Sequence, residues 1–268
     1  MRIIRFVDGD GFEHFGSREQ DGSVEVLIGS PLNGLERTGT YAKVARLLAP
    51  IQPTAILAIG LNYRKHAEET GAKIPEYPIL FIKTPNTLQD PYSPILLPTA
   101  LASEEVDYEC ELAVVIGKTG KNIPKESALE YVLGYTCAND VSARDWQIKR
   151  GGSQWCRGKC FDTFCPLGPS ITTADEIPNP NDLTIKTILN GEAVQAWNTN
   201  DMIFDVPTLI EFLSGSTTLL AGTAILTGTP QGVGMARKPP VWLKEGDVVS
   251  IEIEKIGTLT NAVECEVA

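Results

Sequence analysis

Val106-Asp107-Tyr108-Glu109-Cys110-Glu111-Leu112-Ala113-Val114-Val115-Ile116 is the stretch that decides how this chain is read. Apolar and acidic side chains alternate as far as Leu112, and an unbroken apolar run follows. Residues two apart share one face of a β-strand. Asp107, Glu109 and Glu111 are therefore expected to project together, with Val106, Tyr108, Cys110 and Leu112 on the opposite face. Three carboxylates on one face repel each other, and burial makes that repulsion costly. Two readings follow: the acidic face is solvated, or a hard cation neutralises it. Oxygen ligands would select Mg²⁺, Mn²⁺ or Ca²⁺ over zinc.

Working outward, short β-rich runs separated by turns fill most of the sequence. Strands are expected at Ala55–Ile59, Pro78–Ile82, Glu111–Ile116, Val132–Cys137, Leu183–Leu189, Thr223–Thr227, Asp247–Ile253 and Leu259–Glu266. Helices are fewer: Tyr63–Thr70, Lys125–Glu130, Pro207–Leu213 and a further candidate at Ser142–Lys149. Regular strand–helix alternation would mark a doubly wound sheet, and it is absent from this pattern. The expectation is an α+β fold of mixed sheets carrying long functional loops. Residues 1–50 read as a small β-rich N-terminal domain, with strands at Met1–Val7 and Gly22–Ile28 and a short helix at Thr40–Leu48. Pro50 and Pro53 mark the boundary to a larger domain, residues 51–268.

The charge balance narrows the function. With 23 Lys and Arg against 34 Asp and Glu, the 268-residue chain carries a formal net charge of -11. A nucleic-acid binder needs a basic face to displace counterions, so no nucleic-acid partner is expected. No apolar stretch approaches the ~20 residues of a membrane span, so no membrane partner is expected either. The opening MRIIRFVDGDGFEHFG has no apolar leader core. None of the six cysteines forms a Cys-x-x-Cys pair, which reads as reduced thiols. Together these features lead to the expectation of a cytoplasmic protein.

Four further segments carry chemistry. Asn139-Asp140-Val141-Ser142-Ala143-Arg144-Asp145-Trp146-Gln147 starts where a strand ends. On a helix, Asp140, Arg144 and Gln147 would share one face, which suits a metal plus an anionic ligand or an ordinary capped surface helix. His66 has Glu69 three residues on, where a carboxylate can orient the imidazole. A surface contact would leave the same trace, and His14 shows no such partner. Lys159 lies in an apolar, Gly-flanked context and could stabilise a developing enolate. The loop Gly228-Thr229-Pro230-Gln231-Gly232-Val233-Gly234 fits neither nucleotide fingerprint, although free N–H groups there could hold a small carboxylate.

Taken together, GLNYRKHAEE, VDYECEL, NDVSARDWQ, GKCFDTFCPLGP, NGE with Gln195 beyond it, and LTGTPQGVG resemble the fumarylacetoacetate hydrolase family, particularly its small domain-containing members. These words come in the family's order across roughly residues 53–268. The resemblance implies a mixed β-sheet roll, a homodimer, and one Mg²⁺ or Mn²⁺ per subunit, with Ca²⁺ as a substitute. It implies Glu109, Glu111 and Asp140 as metal ligands, and His66 with Glu69 as the pair that activates water or shuttles a proton. Lys159 matches the lysine near the enolate, and Arg144, Gln147 and Thr229 match substrate-contacting positions. The implied substrate is a small anionic 2-oxo or 2,4-dioxo acid that reacts through a metal-bound enolate. C–C hydrolysis of an acylpyruvate leads among the implied reactions. Alternatives are oxaloacetate tautomerisation or decarboxylation, and hydration or isomerisation of a 2-oxo dioic acid. A metabolite-binding protein on the same fold is the non-enzymatic alternative.

Overall fold

The structure is a computed structural model that describes every residue except Gln20, Ser153 and Ala268. Its architecture is α+β, dominated by one large mixed sheet and a second, five-stranded sheet. Across the large sheet the main path runs Gly34–Tyr41, Val24–Ser30, Glu13–Arg18, Arg2–Asp8, Cys165–Thr173, Val132–Asn139, Cys110–Ile116, Ala224–Leu226, Ile56–Gly60, Ile79–Lys83. The second sheet orders Glu192–Asn198, Thr184–Leu189, Val248–Ile253, Gly257–Cys265 and Ile95–Leu97. Most pairings are antiparallel, but Ala224–Leu226 runs parallel to Ile56–Gly60, and Gly257–Cys265 parallel to Ile95–Leu97.

Cys110–Ile116 lies at the centre and is buried along its whole length. Its two faces serve two cores, as a strand covered on both sides must. Cys110, Leu112, Val114 and Ile116 pack with Ile185, Val249 and Ile251 of the second sheet. Ala113 and Val115 face Ala58, Phe81, Leu167 and Leu226. The small side chains on that second face let neighbouring elements come close to the central strand. The six cysteines are all free thiols.

Several local expectations differ from the structure. Thr40–Leu48 contains no helix: the strand Gly34–Tyr41 ends inside it, and Val44–Leu48 pairs with Arg5–Asp8. Pairing with an available edge outweighs the weak helical preference of so short a segment. Lys125–Tyr131 winds as a 3₁₀ helix. Ser142–Lys149 divides, because Ser142–Ala143 pairs with Val106–Asp107 before Asp145–Arg150 forms a π-helix. His14 does have a partner, with Nε2 at 2.7 Å from Asp8 Oδ2.

Candidate active site

The acidic strand breaks where its charges begin. Val106–Asp107 pairs outside the main sheet, whereas Cys110–Ile116 belongs to it, so Tyr108 and Glu109 form a corner. The three carboxylates consequently do not form the single row expected from strand alternation. Asp107 turns toward Arg144, while Glu109 and Glu111 converge with Asp140 from the end of the Val132–Asn139 strand. One ligand oxygen from each of Glu109, Glu111 and Asp140 lies within 4.8 Å of the others. Two bonds secure the junction: Asp140 N–H donates to Glu109 O at 3.0 Å, and Glu109 N–H to Asn139 Oδ1 at 3.0 Å. The solvated-face reading of Asp107, Glu109 and Glu111 is excluded, because they are 0 %, 5 % and 1 % exposed, and Asp140 is buried as well.

Buried carboxylates need counter-charges. Lys159 Nζ lies 2.8 Å from Glu109 Oε2 and 2.6 Å from Asp140 Oδ2. Lys83 Nζ lies 2.6 Å from Asp140 Oδ1. Arg144 Nη2 is 2.6 Å from Glu109 Oε1, a close Coulombic contact that is not aligned as a hydrogen bond. Glu111 has no such cation among the described residues; its Oε2 accepts the Gly228 N–H at 2.7 Å. The two glutamates therefore diverge. Burial opposes ionisation of Glu109, but Lys159 and then Arg144 outweigh it and hold that carboxyl well below the usual range. Burial, reinforced by Asp140 and Glu109, pushes the Glu111 carboxyl well above it. Burial also disfavours the charged form of Lys159, yet Asp140 and Glu109 keep its ammonium raised above the ordinary lysine value.

Three clustered, buried carboxylates, one lacking a cationic partner, form a donor set that fits a hard divalent cation. This group could hold a metal. His66 stands on the helix Arg64–Thr70, which ends at Gly71 in the left-handed conformation. His66 Nδ1 lies 2.8 Å from Glu69 Oε1, so the pair inferred from spacing forms within one helical turn. Glu69 also accepts the Gly232 N–H, at 3.0 and 3.1 Å. Gly232 has φ +98°, and a Cβ there would lie 2.4 Å from Val194 O, so glycine alone permits this contact.

A cavity of about 200 Å³ is lined by His66, Glu109, Glu111, Arg144, Gln147, Lys159 and Thr229, with Phe81 and Trp155 among its apolar walls. Asp140 and Glu69 stand behind the lining groups they contact. Arg144 and Gln147 do meet, Nη1 to Oε1 at 2.9 Å, although not on the common helical face with Asp140 that the spacing suggested. Thr229 is placed by Gln195, whose Nε2 donates to Thr229 Oγ1 at 2.9 Å and to Pro230 O at 2.8 Å. The glycine-rich loop turns its amides toward carboxylates of its own chain. Gly228 serves Glu111, Gly232 serves Glu69, and Gly234 and Met235 serve Asp107.

The sequence does not single out Lys83 or Asp107 as site residues, nor the apolar walls Phe81 and Trp155. Lys83 ends the strand Ile79–Lys83 at an inward position, where an alternating pattern would place an apolar residue. That misplaced charge was the available signal. In the sequence Asp107 stands only as one of three acidic neighbours, and nothing there announces its partners.

Residues 55–264 match the family described as fumarylacetoacetate (FAA) hydrolase C-terminal, and residues 1–50 match Rv2993c-like, N-terminal. Oxaloacetate tautomerase fahd2, mitochondrial, from Xenopus laevis is 52 % identical over 218 residues, 81 % of this chain and 68 % of the relative. Oxaloacetate tautomerase FAHD2A, mitochondrial, from Homo sapiens is 49 % identical over 217 residues, again 81 % and 68 %. Among solved structures, 5-carboxymethyl-2-hydroxymuconate delta-isomerase from Mycobacterium smegmatis superposes with a TM-score of 0.86. It is 41 % identical, with 99 % of this chain and 100 % of that chain covered. The cytoplasmic expectation is corrected by these comparisons, because the frog and human relatives are mitochondrial proteins. Charge and reduced thiols describe an enzyme's surface and chemistry, and they do not specify a compartment. The family match over residues 55–264, the identity to these relatives and the shared fold place this chain in the fumarylacetoacetate hydrolase family of enzymes.

Proposed function

We propose that this enzyme interconverts the keto and enol forms of a small 2-oxo diacid of the oxaloacetate kind, with Mg²⁺ as its cation and Mn²⁺ or Ca²⁺ as substitutes. The observation that carries the reading is the His66–Glu69 pair at a cavity that also presents Lys159, Arg144 and the Glu109–Glu111–Asp140 group. Glu109, Glu111 and Asp140 would hold the cation, which supplies Lewis acidity toward the carboxylate and 2-oxo oxygens of the substrate. The protein's own groups perform the rest. Arg144, Gln147 and Thr229 bind and orient the anionic substrate. Glu69 fixes His66 through Nδ1, leaving Nε2 to take a proton from C3 and return it to the 2-oxo oxygen. Lys159 presents positive charge to the oxygen on which negative charge develops. Phe81 and Trp155 exclude water from the apolar side.

C–C hydrolysis, the leading reaction inferred from sequence, requires an attacking water in addition to these groups. The names of the tautomerase and isomerase relatives favour the alternative that needs only proton movement. The reading includes a homodimer, supported by Leu80 and Ile82. The edge strand Ile79–Lys83 turns these outward at 47 % and 49 % exposure, and an exposed apolar edge invites a partner.

The deciding experiment follows relaxation of the oxaloacetate enol absorbance with Mg²⁺-loaded protein, beside acetylpyruvate monitored by proton NMR. Accelerated relaxation with acetylpyruvate left intact supports tautomerisation. Acetate and pyruvate from the second sample, with no acceleration in the first, would replace it with hydrolysis.

A further inference from the structure

Asp107 carries four hydrogen bonds from three parts of the chain, and none of the proposed proton-transfer or metal-binding roles uses it. Its side chain has no exposed surface. Oδ1 accepts the Tyr108 N–H at 2.9 Å and the Gly234 N–H at 2.7 Å. Oδ2 accepts the Met235 N–H at 3.0 Å and Arg144 Nε at 2.9 Å. The local fold is built for this arrangement. Pairing of Val106–Asp107 with Ser142–Ala143 brings Asp107 beside Arg144. A Cβ on residue 234 would lie 1.9 Å from Val241 O and 2.6 Å from Asp107 Oδ1, so only glycine lets the loop amides reach the carboxylate.

Arg144 offers a planar fork of donors, and its orientation decides which edge a ligand meets. Asp107 holds the Nε edge, which leaves the Nη groups on the side of Gln147 and Glu109, both of which line the cavity. We infer that Asp107 is a positioning residue: by fixing Arg144 at Nε and the loop at Gly234 and Met235, it sets the affinity of the site for the carboxylate of its 2-oxo acid. This rests on the reading of Arg144 as a substrate-binding group. Asparagine is nearly the same shape, but its NH₂ must face an N–H donor on one side or the other. Asp107→Asn should therefore break one of the two sets of contacts, at the guanidinium or at the loop, without opening a cavity.

The test uses Asp107→Asn, Arg144→Lys and the double variant in the full chain, loaded with Mg²⁺. Asp107→Asn is expected to raise the KM for oxaloacetate by about tenfold, the scale of a hydrogen bond to a charged group, with a smaller change in kcat. The double variant should lose no more than the worse single variant, because both remove one coupled unit. Calorimetric titration with oxalate, a rigid dianion, should weaken in parallel. That arm does not depend on turnover: if the unaltered enzyme left oxaloacetate untouched, the tautomerase reading would fall while oxalate still decided the role of Asp107. Unchanged KM and oxalate affinity beside a lowered melting temperature would reduce Asp107 to a structural role and overturn the inference, as would fully additive losses. Should Asp107→Asn fail to fold, the Arg144 Nε–H in the unaltered protein supplies the readout by nitrogen NMR. Protection of that proton from exchange sustains the fixed fork, and rapid exchange overturns it.

Discussion

Lys83 and Asp140 form an ion pair of 2.6 Å in which neither side chain has any exposed surface. The second oxygen of Asp140 faces Lys159 at the same distance, so one carboxylate is held between two ammonium groups. Removing one member of a buried pair leaves a charge unmatched, typically at a cost of roughly 3–5 kcal/mol. Lys159 remains to shield Asp140, so Lys83→Met should destabilise the metal-free protein toward the lower end of that range. Urea denaturation checks this, and a loss below about 1 kcal/mol would mean that Lys159 alone neutralises Asp140.

Glu111 should behave in the opposite sense. Its folded pKa lies above the ordinary value of 4.5, because burial and then Asp140 and Glu109 penalise the anion. The fold therefore binds this proton more tightly than the unfolded chain, and the contribution of Glu111 to stability falls as pH rises from 4.5 through its raised value. Glu111→Gln retains an oxygen for the Gly228 N–H. It should raise the melting temperature of the metal-free protein at pH 8 while weakening Mg²⁺ binding by at least about tenfold, the scale of one lost charged ligand. Scanning calorimetry with and without Mg²⁺ reads both effects.

The same proton links metal binding to pH. A cation requires Glu111 to be ionised, so below the raised pKa of this group binding must displace a proton. Mg²⁺ affinity should increase with pH across that window, by about tenfold per unit for one displaced proton. Titrations in buffers of different ionisation enthalpy count it directly. A heat independent of buffer would contradict the divergence of Glu109 and Glu111.

His66→Ala should reduce oxaloacetate tautomerisation by about 10²–10⁴-fold, the range for a positioned acid–base group. Glu69→Gln should lose less, since the imidazole remains. Mg²⁺ affinity should be unchanged in both, because neither residue belongs to the carboxylate group. Glu109→Ala makes the contrast: metal-dependent turnover should vanish, in a protein that still folds but is less stable because Lys159 and Arg144 lose a carboxylate partner. Enolate chemistry that needs no proton shuttle, tested as pyruvate formation from oxaloacetate, should survive His66→Ala better than tautomerisation does. Equal loss of the two would end that division of roles.

Sedimentation should give a dimer of the 29.1 kDa chain. Leu80→Glu with Ile82→Glu should shift it toward monomer without altering metal affinity, if the outward face of that edge strand is covered by a second copy. A monomer before mutation would remove the dimer from the reading.

Much of the architecture was legible because the central strands are long, apolar and bounded by turns. Cys110–Ile116 and Val132–Asn139 needed only their composition. Errors gathered where tertiary pairing decides conformation. Val44–Leu48 is a strand because Arg5–Asp8 is there to receive it, and nothing within five residues states that. At the site, His66 with Glu69 and Arg144 with Gln147 were readable because they lie three residues apart. Lys83 with Asp140 spans 57 residues, and Asp107 reaches the loop across 127, so both depended on the sheet order. The strand break at Tyr108–Glu109 mattered most. It separates Asp107 from two acidic neighbours that regular alternation would have kept beside it.

The loop from Gly228 to Met235 hands its amides to Glu111, Glu69 and Asp107, which come from three separate parts of the chain. Those positions are consequently not free to drift one at a time. A substitution that reshapes the loop is felt simultaneously at the carboxylate group, at the imidazole and at the guanidinium, so its tolerance depends on what the other positions already carry. Divergent copies of this sequence should either keep the loop glycines and all three acids or replace them as a set. Directed evolution of a new substrate preference would advance sooner at Phe81 and Trp155, the apolar walls outside that constraint.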